Sequence, residues 1–151
     1  MLLETLKILF ERDLKKLKLE IELYQNEDQL WVTKNGISNA AGNLCLHLIG
    51  NLNCYIGAEL GKTNYIRNRP LEFSLYSIPK SELLTKIDET ILVVNQSLSK
   101  ITEQELQNEY PILVLENKTT VAHFLVHLST HLAYHLGQIN YHRRLIDLEL
   151  N

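Results

Sequence analysis

Leu3, Leu6, Phe10, Leu14, Leu17 and Ile21 recur at threes and fours, with Lys and Glu filling the positions between them. That spacing predicts an amphipathic surface helix over about residues 2–24. The stretch "QNEDQLWVTKNG" ends the period with Asn, Asp and Gly. A second helix is predicted over 38–60, "SNAAGNLCLHLIGNLNCYIGAEL", with Ser38 or Asn39 as its cap and Gly61 just past its end. Glu59 is the only carboxylate, Lys or Arg in it, so the helix is expected to be buried on most sides. Gly42, Gly50 and Gly57 each weaken it by up to ~1 kcal/mol, and close approach of another backbone is the expected compensation.

The next segment, "GKTNYIRNRPLEFSLYSIPK", carries no period, and Pro70 and Pro79 argue against continuing a helix there. A patternless connection of this length is often packed over a site. A third helix is predicted from Ser81 to about Lys100, with Leu84, Ile87, Ile91, Val94 and Leu98 in phase. The run "ITEQELQNEYPILVLENKT" suggests a helical turn at 102–107 and an extended piece at 112–115. A fourth helix starts at Thr119 or Thr120 and runs to about Leu148. Four such segments predict an all-α helix bundle, a single domain over 1–151.

Composition narrows the partners. A formal net charge of −3 and a pI near 6.1 give no basis for binding a phosphate backbone, so no nucleic acid is expected. No stretch is apolar enough for a transmembrane span, and the N-terminus, charged throughout, is not a signal peptide, so no membrane is expected either. Cys45 and Cys54 sit nine residues apart in a predicted helix. Nine helical residues span roughly 13 Å, beyond disulfide reach. They are expected to be reduced thiols in a cytoplasmic protein, packing residues and not nucleophiles.

The histidines are the uneven feature. Five of the six lie between 123 and 142, and the sixth, His47, stands alone on the second helix. With His123 as zero, His127, His131 and His135 fall at about 40°, 80° and 120° around the last helix. The apolar side chains of that helix cluster between about 140° and 220°. His131 and His135 therefore stand at the edge of the core. Imidazoles four apart on a helix can converge on one divalent ion, and His47 is the third donor the pattern offers. Three protein ligands with one position open is the arrangement of a catalytic centre. His142 lies three turns from His131, roughly 16 Å, too far to share that ion. With Arg143 and Arg144 beside it, His142 is expected near the helix C-terminus, where positive charge is favoured. The spacing also fits helix histidines that are merely solvated or hydrogen-bonded, in which case His47 would lie far from His131 and His135.

"FLVHLSTHLAYHLGQINYHRRL" and "HLIGNLNCYIGAELGKTNYIRNRPLEFS" resemble the DinB-like superfamily of metal-binding four-helix bundles, and most of all an uncharacterised branch of it. The resemblance covers nearly the whole chain. It implies an up-down-down-up bundle with one long crossover, a divalent metal held by His47, His131 and His135, and a homodimer. It also implies chemistry of a low-molecular-weight thiol S-transferase, an isomerase or an amide-type hydrolase.

The expected function is a metal-dependent enzyme that activates a thiol or water against a small electrophile. Zinc or nickel suits three imidazoles, as do iron, cobalt and copper. Asn51, His127, Tyr134 and Gln138 are the candidates for contacts to the ligands or substrate, and no general base stands out. Tyr55 and Tyr65 are candidates to line a pocket. The alternative function is a non-catalytic, stress-linked metal-binding or interaction module. A closed site with a fourth protein ligand would mark that alternative, and a cavity ending at the ion would mark the enzyme.

Overall fold

The structure, a computed structural model, describes residues 1–34 and 36–148. The expected domain over 1–151 thus includes Asn35 and residues 149–151, which lie outside the described residues. Among the described residues there are five α-helices: α1 (Leu2–Glu22), α2 (Ala41–Leu52), α3 (Arg69–Ser74), α4 (Lys80–Ser99) and α5 (Val121–Ile146). The one β-type pairing among them is an isolated antiparallel bridge between Glu109 and Thr120. The extended piece expected at 112–115 forms no strand.

α1 buries the stripe its spacing predicts, Leu3, Leu6, Phe10, Leu14, Leu17 and Ile21. α2 is buried at every position but Asn43, as its lack of charge requires. It begins later than expected, with Ala40 at the cap and no side chain closing it, and passes into a single π turn, Asn53–Ala58. Gly61 is not the left-handed residue after it; Lys62 is, at φ 58°. α5 starts where expected, with the Thr120 hydroxyl accepting from the His123 N–H.

The connection is not structureless. Pro70 falls in the first turn of α3, where its missing N–H is not needed, and the Asn68 side chain accepts from the Leu71 N–H. The proline that forbids extending a helix from upstream is therefore the one that starts a new helix. Thr102 and Glu105 cap the 3₁₀ turn Gln104–Gln107 reciprocally, through backbone N–H groups at 2.7 and 3.3 Å.

α1 packs on α4 and α5, and α2 packs on the same two helices, with α3 laid against α2. At one end of the bundle Lys80 Nζ donates to the Glu22 and Tyr24 carbonyls, and the Asp147 carboxylate accepts from the Gln25 and Asn26 N–H groups. At the other end Tyr110 Oη donates to the Tyr55 carbonyl and Lys100 Nζ to that of Gly61.

His142 corrects an expectation. It does lie near the C-terminal end of α5, but as a buried neutral ring, 3% exposed, whose Nε2–H donates to the Val32 carbonyl at 2.8 Å, and not as a solvated cation. Its Nδ1 accepts from Tyr24 Oη at 2.6 Å, and burial lowers its pKa. It ties α5 to the end of α1 and to the segment before α2. The glycines of α2 also differ from expectation, because side chains and not backbones approach them. A Cβ on Gly42 would meet the Trp31 ring at 2.7 Å, and one on Gly50 would meet the Glu72 carboxylate.

Candidate functional site

α2 is locked in the core, so its one inward imidazole is held rigidly. His47 is 6% exposed, while His131 and His135 on α5 are partly exposed. The three rings converge. His131 Nε2 lies 3.2 Å from His47 Nε2 and 3.1 Å from His135 Nε2, and one donor atom from each ring falls within 4.8 Å of the others. No fourth His, Cys, Asp or Glu joins them among the described residues.

His47 Nδ1 lies 3.0 Å from Glu72 Oε1, and a carboxylate only accepts, so the proton of neutral His47 sits on Nδ1. His135 Nδ1 likewise donates to Gln138 Oε1 at 2.7 Å. Both rings therefore aim an Nε2 lone pair at His131 Nε2. A proton there could serve only one of the two well. With the proton on His131 Nδ1 instead, three lone pairs meet at one point. His131 Nδ1 is itself buried without a partner, as is Asn51 Oδ1 one turn beyond His47. Two metal bonds of about 2.0–2.1 Å at tetrahedral or octahedral angles hold their nitrogens roughly 2.9–3.4 Å apart. The separations of 3.1 and 3.2 Å fit a shared divalent cation, and the donor set fits its chemistry.

Two of the rings, His131 and His47, are also biased toward the ligating, uncharged form. Burial, then repulsion from His135, His47 and His127, pushes the His131 pKa down to about 4. Burial lowers that of His47 as well, against an opposing pull from Glu72.

The other candidates divide. Gln138 touches His135 as described. Tyr134 is exposed, with its ring 5.3 Å from that of His135. His127 stacks between Phe124 and His131, at 5.7 and 6.3 Å, without entering the cluster. Asn51 stays in the core, 7% exposed. Tyr55 lies under the Arg67 guanidinium, 5.5 Å from its centroid, and Tyr65 lines a cavity. Cys45 is fully buried, its thiol pushed up to about 12, and burial also raises that of the half-buried Cys54. Neither is a thiolate nucleophile.

Three residues of the site escaped the sequence reading. Glu72, 6% exposed, is carried by α3 onto His47, and Arg67 grips it with a two-pronged fork, Nε to Oε2 at 2.8 Å and Nη2 to Oε1 at 2.9 Å. Phe73, beside Glu72, lays its ring 5.1 Å from that of His47. The signals were faint: an Asn68 cap before Pro70 with an acid in the first turn, and Gly50, one turn along from His47, leaving room for a carboxylate.

Two cavities flank the histidines. One of about 290 Å³ has Leu46, Ile49, Tyr65, Leu71 and Glu72 among its walls. The other, of about 250 Å³, has Leu44, Gln138, Tyr141 and His142. Neither is lined by His47, His131 or His135.

A family model described as "Protein of unknown function (DUF1572)" matches residues 2–149. The chain belongs to the DUF1572 family. DUF1572 is a member of the DinB-like superfamily, so the resemblance in the two histidine-bearing segments and the family match agree. No curated protein and no solved structure matches this DUF1572 chain significantly.

Proposed function

We propose that this protein is a metal-dependent enzyme acting on a small electrophile with a thiol or water as nucleophile. The observation that carries the reading is the convergence of three imidazole nitrogens, two with their lone pairs fixed by hydrogen bonds, on one point without a fourth donor among the described residues. His47, His131 and His135 would hold one divalent ion, zinc or nickel in the first place, with iron, cobalt and copper also suited to imidazoles. Such an ion lowers the pKa of a bound thiol or water toward 7 and polarises a carbonyl. The chain's own residues do the rest. Glu72 and Gln138 set the faces of His47 and His135, and Phe73 and Tyr134 stand against those same two rings.

The same reading includes the up-down-down-up order with a crossover through 61–80, in a single domain over 1–151. The contact of Lys80 with the end of α1 and of Asp147 with the residues after α1 supports that order. A cytoplasmic homodimer completes it. The two unpaired thiols support the compartment, and the exposed Tyr134, Tyr141 and Leu145 on α5, with Leu148 just past it, support self-association. Among the described residues no helix is long and apolar enough to cross a membrane.

A second reading is a stress-linked metal-binding module without catalysis. One observation favours it: the two cavities lie beside the histidines and do not end on them. The deciding experiment gives metal-loaded, untagged protein a panel of low-molecular-weight thiols with small electrophiles, and of small amides. Turnover that His131→Ala abolishes supports the enzyme. Stoichiometric metal with no turnover across the panel supports the module.

A further inference from the structure

We infer that Glu72, gripped by Arg67, is a positioning residue that fixes the tautomer of His47 and so prepares its Nε2 to ligate. The inference rests on the metal reading for its affinity consequence, but its structural core does not.

The polar atoms within hydrogen-bond distance of His47 Nδ1, Glu72 Oε1 and Arg67 Nη2, both come from outside α2, so the connection settles which ring nitrogen carries the proton. α3 is docked on α2 by Asn43 Nδ2, which donates to the Glu72 and Leu75 carbonyls at 3.0 and 2.7 Å. That docking drives the Glu72 side chain into the space beside Gly50, where its carboxylate meets Nδ1 of His47. A carboxylate 6% exposed needs compensation, and the Arg67 fork provides it from five residues earlier on the same connection. Arg67 Nη2 also lies 3.3 Å from His47 Nδ1, but the carboxylate is nearer, at 3.0 Å, and cannot donate. A lone pair on Nδ1 facing Oε1 would be repelled, so the proton belongs on Nδ1. A ligating histidine whose other nitrogen donates to a carboxylate is held in orientation and made more basic. Gln138 serves His135 in the same sense but as a neutral, exposed group. His131 has no such partner at Nδ1. The cluster is therefore anchored mainly through His47, and the anchor is carried by the crossover and not by the bundle.

The test uses the metal-free and metal-loaded protein and the variants Glu72→Gln, Arg67→Met with Glu72→Gln, and His47→Ala. In the metal-free protein at neutral pH, long-range ¹H–¹⁵N correlation of the histidine rings reads the tautomer directly, and the His47 signals are assigned by their loss in His47→Ala. The wild type should show His47 protonated on Nδ1. E72Q can turn its amide N–H toward Nδ1, and the Nδ1–H signature should be lost or mixed. Zinc affinity, measured by competition with a chelator, should fall about 10–100-fold in E72Q. Should E72Q fold poorly with Arg67 left alone, the double variant removes both charges together and should give the same two changes.

A His47 ring that keeps the Nδ1–H form in both variants, with zinc affinity within about threefold of wild type, overturns the inference. A wild type that binds no zinc overturns the metal reading instead, while the tautomer readout still decides the role of Glu72.

Discussion

Replacing Gly50 with alanine separates two opposite expectations. Judged by helix propensity alone, the change should stabilise α2 by ~1 kcal/mol. The structure reverses the sign, because the added Cβ falls on the Glu72 carboxylate. A free carboxylate at the end of a side chain would move aside at little cost. This one is held by two hydrogen bonds from Arg67 and one from His47, at 2.8, 2.9 and 3.0 Å. Overpacking costs roughly 1–3 kcal/mol, and weakening a hydrogen bond to a charged group costs a further 1.5–3. Set against the propensity gain of ~1 kcal/mol, the net loss should be about 1.5–5 kcal/mol, or roughly 3–20 °C in melting temperature for a chain of this size. Gly137 is the control. It lies in α5 with nothing within 4 Å of its would-be Cβ, so Gly137→Ala should stabilise by about 0.5–1 kcal/mol. The assay is urea and thermal unfolding of the metal-free protein followed by circular dichroism, repeated in a Glu72→Ala background. There Gly50→Ala should become neutral or mildly stabilising, because its collision partner is gone. A Gly50→Ala protein that melts higher than wild type, as Gly137→Ala should, would refute the placement of Glu72.

Tyr24→Phe leaves His142 Nδ1 buried without a donor and should cost about 1–3 kcal/mol in the same unfolding assay. His142 has a folded pKa below its unfolded value, so its contribution to stability is complete above about pH 6.5 and is lost as pH falls through the lowered folded value. His142→Gln should accordingly show a shallower loss of stability below pH 6.5 than wild type, and equal slopes would count against a neutral buried ring. Cys45 should resist alkylation in the native protein and react only on unfolding, as mass spectrometry of iodoacetamide-treated samples would show.

Much of the scaffold was legible because it depends on local rules. The Leu3-to-Ile21 stripe, the uncharged α2 and the Thr120 cap follow from period and capping chemistry, and the structure buries or caps them as expected. The juxtaposition of His47 with His131 and His135 was also foreseeable, since spacing put two of them on one face and left a single imidazole on the buried helix. The rest depends on contacts between distant parts of the chain. Glu72 becomes part of the site only because Pro70 opens a short helix that docks on α2. Read along the chain, Pro70 looked like a helix breaker, and its permitted place in a first turn was missed. The surroundings of His142 were hidden for the same reason. Its partners, Tyr24 and Val32, lie more than a hundred residues away, so the neighbouring arginines suggested a charged helix end. Gly42 and Gly50 signalled close approach, but whether a backbone or the Trp31 and Glu72 side chains would arrive is not written in a glycine.

The central claim, a cation site made by one ring of α2 and two of α5, is tested most directly by elemental analysis of untagged protein and its His47→Ala variant, each incubated with zinc and desalted. One equivalent of metal per chain in the wild type and a marked loss in the variant is the predicted result. No retained metal in the wild type, or a full equivalent in both, would contradict it.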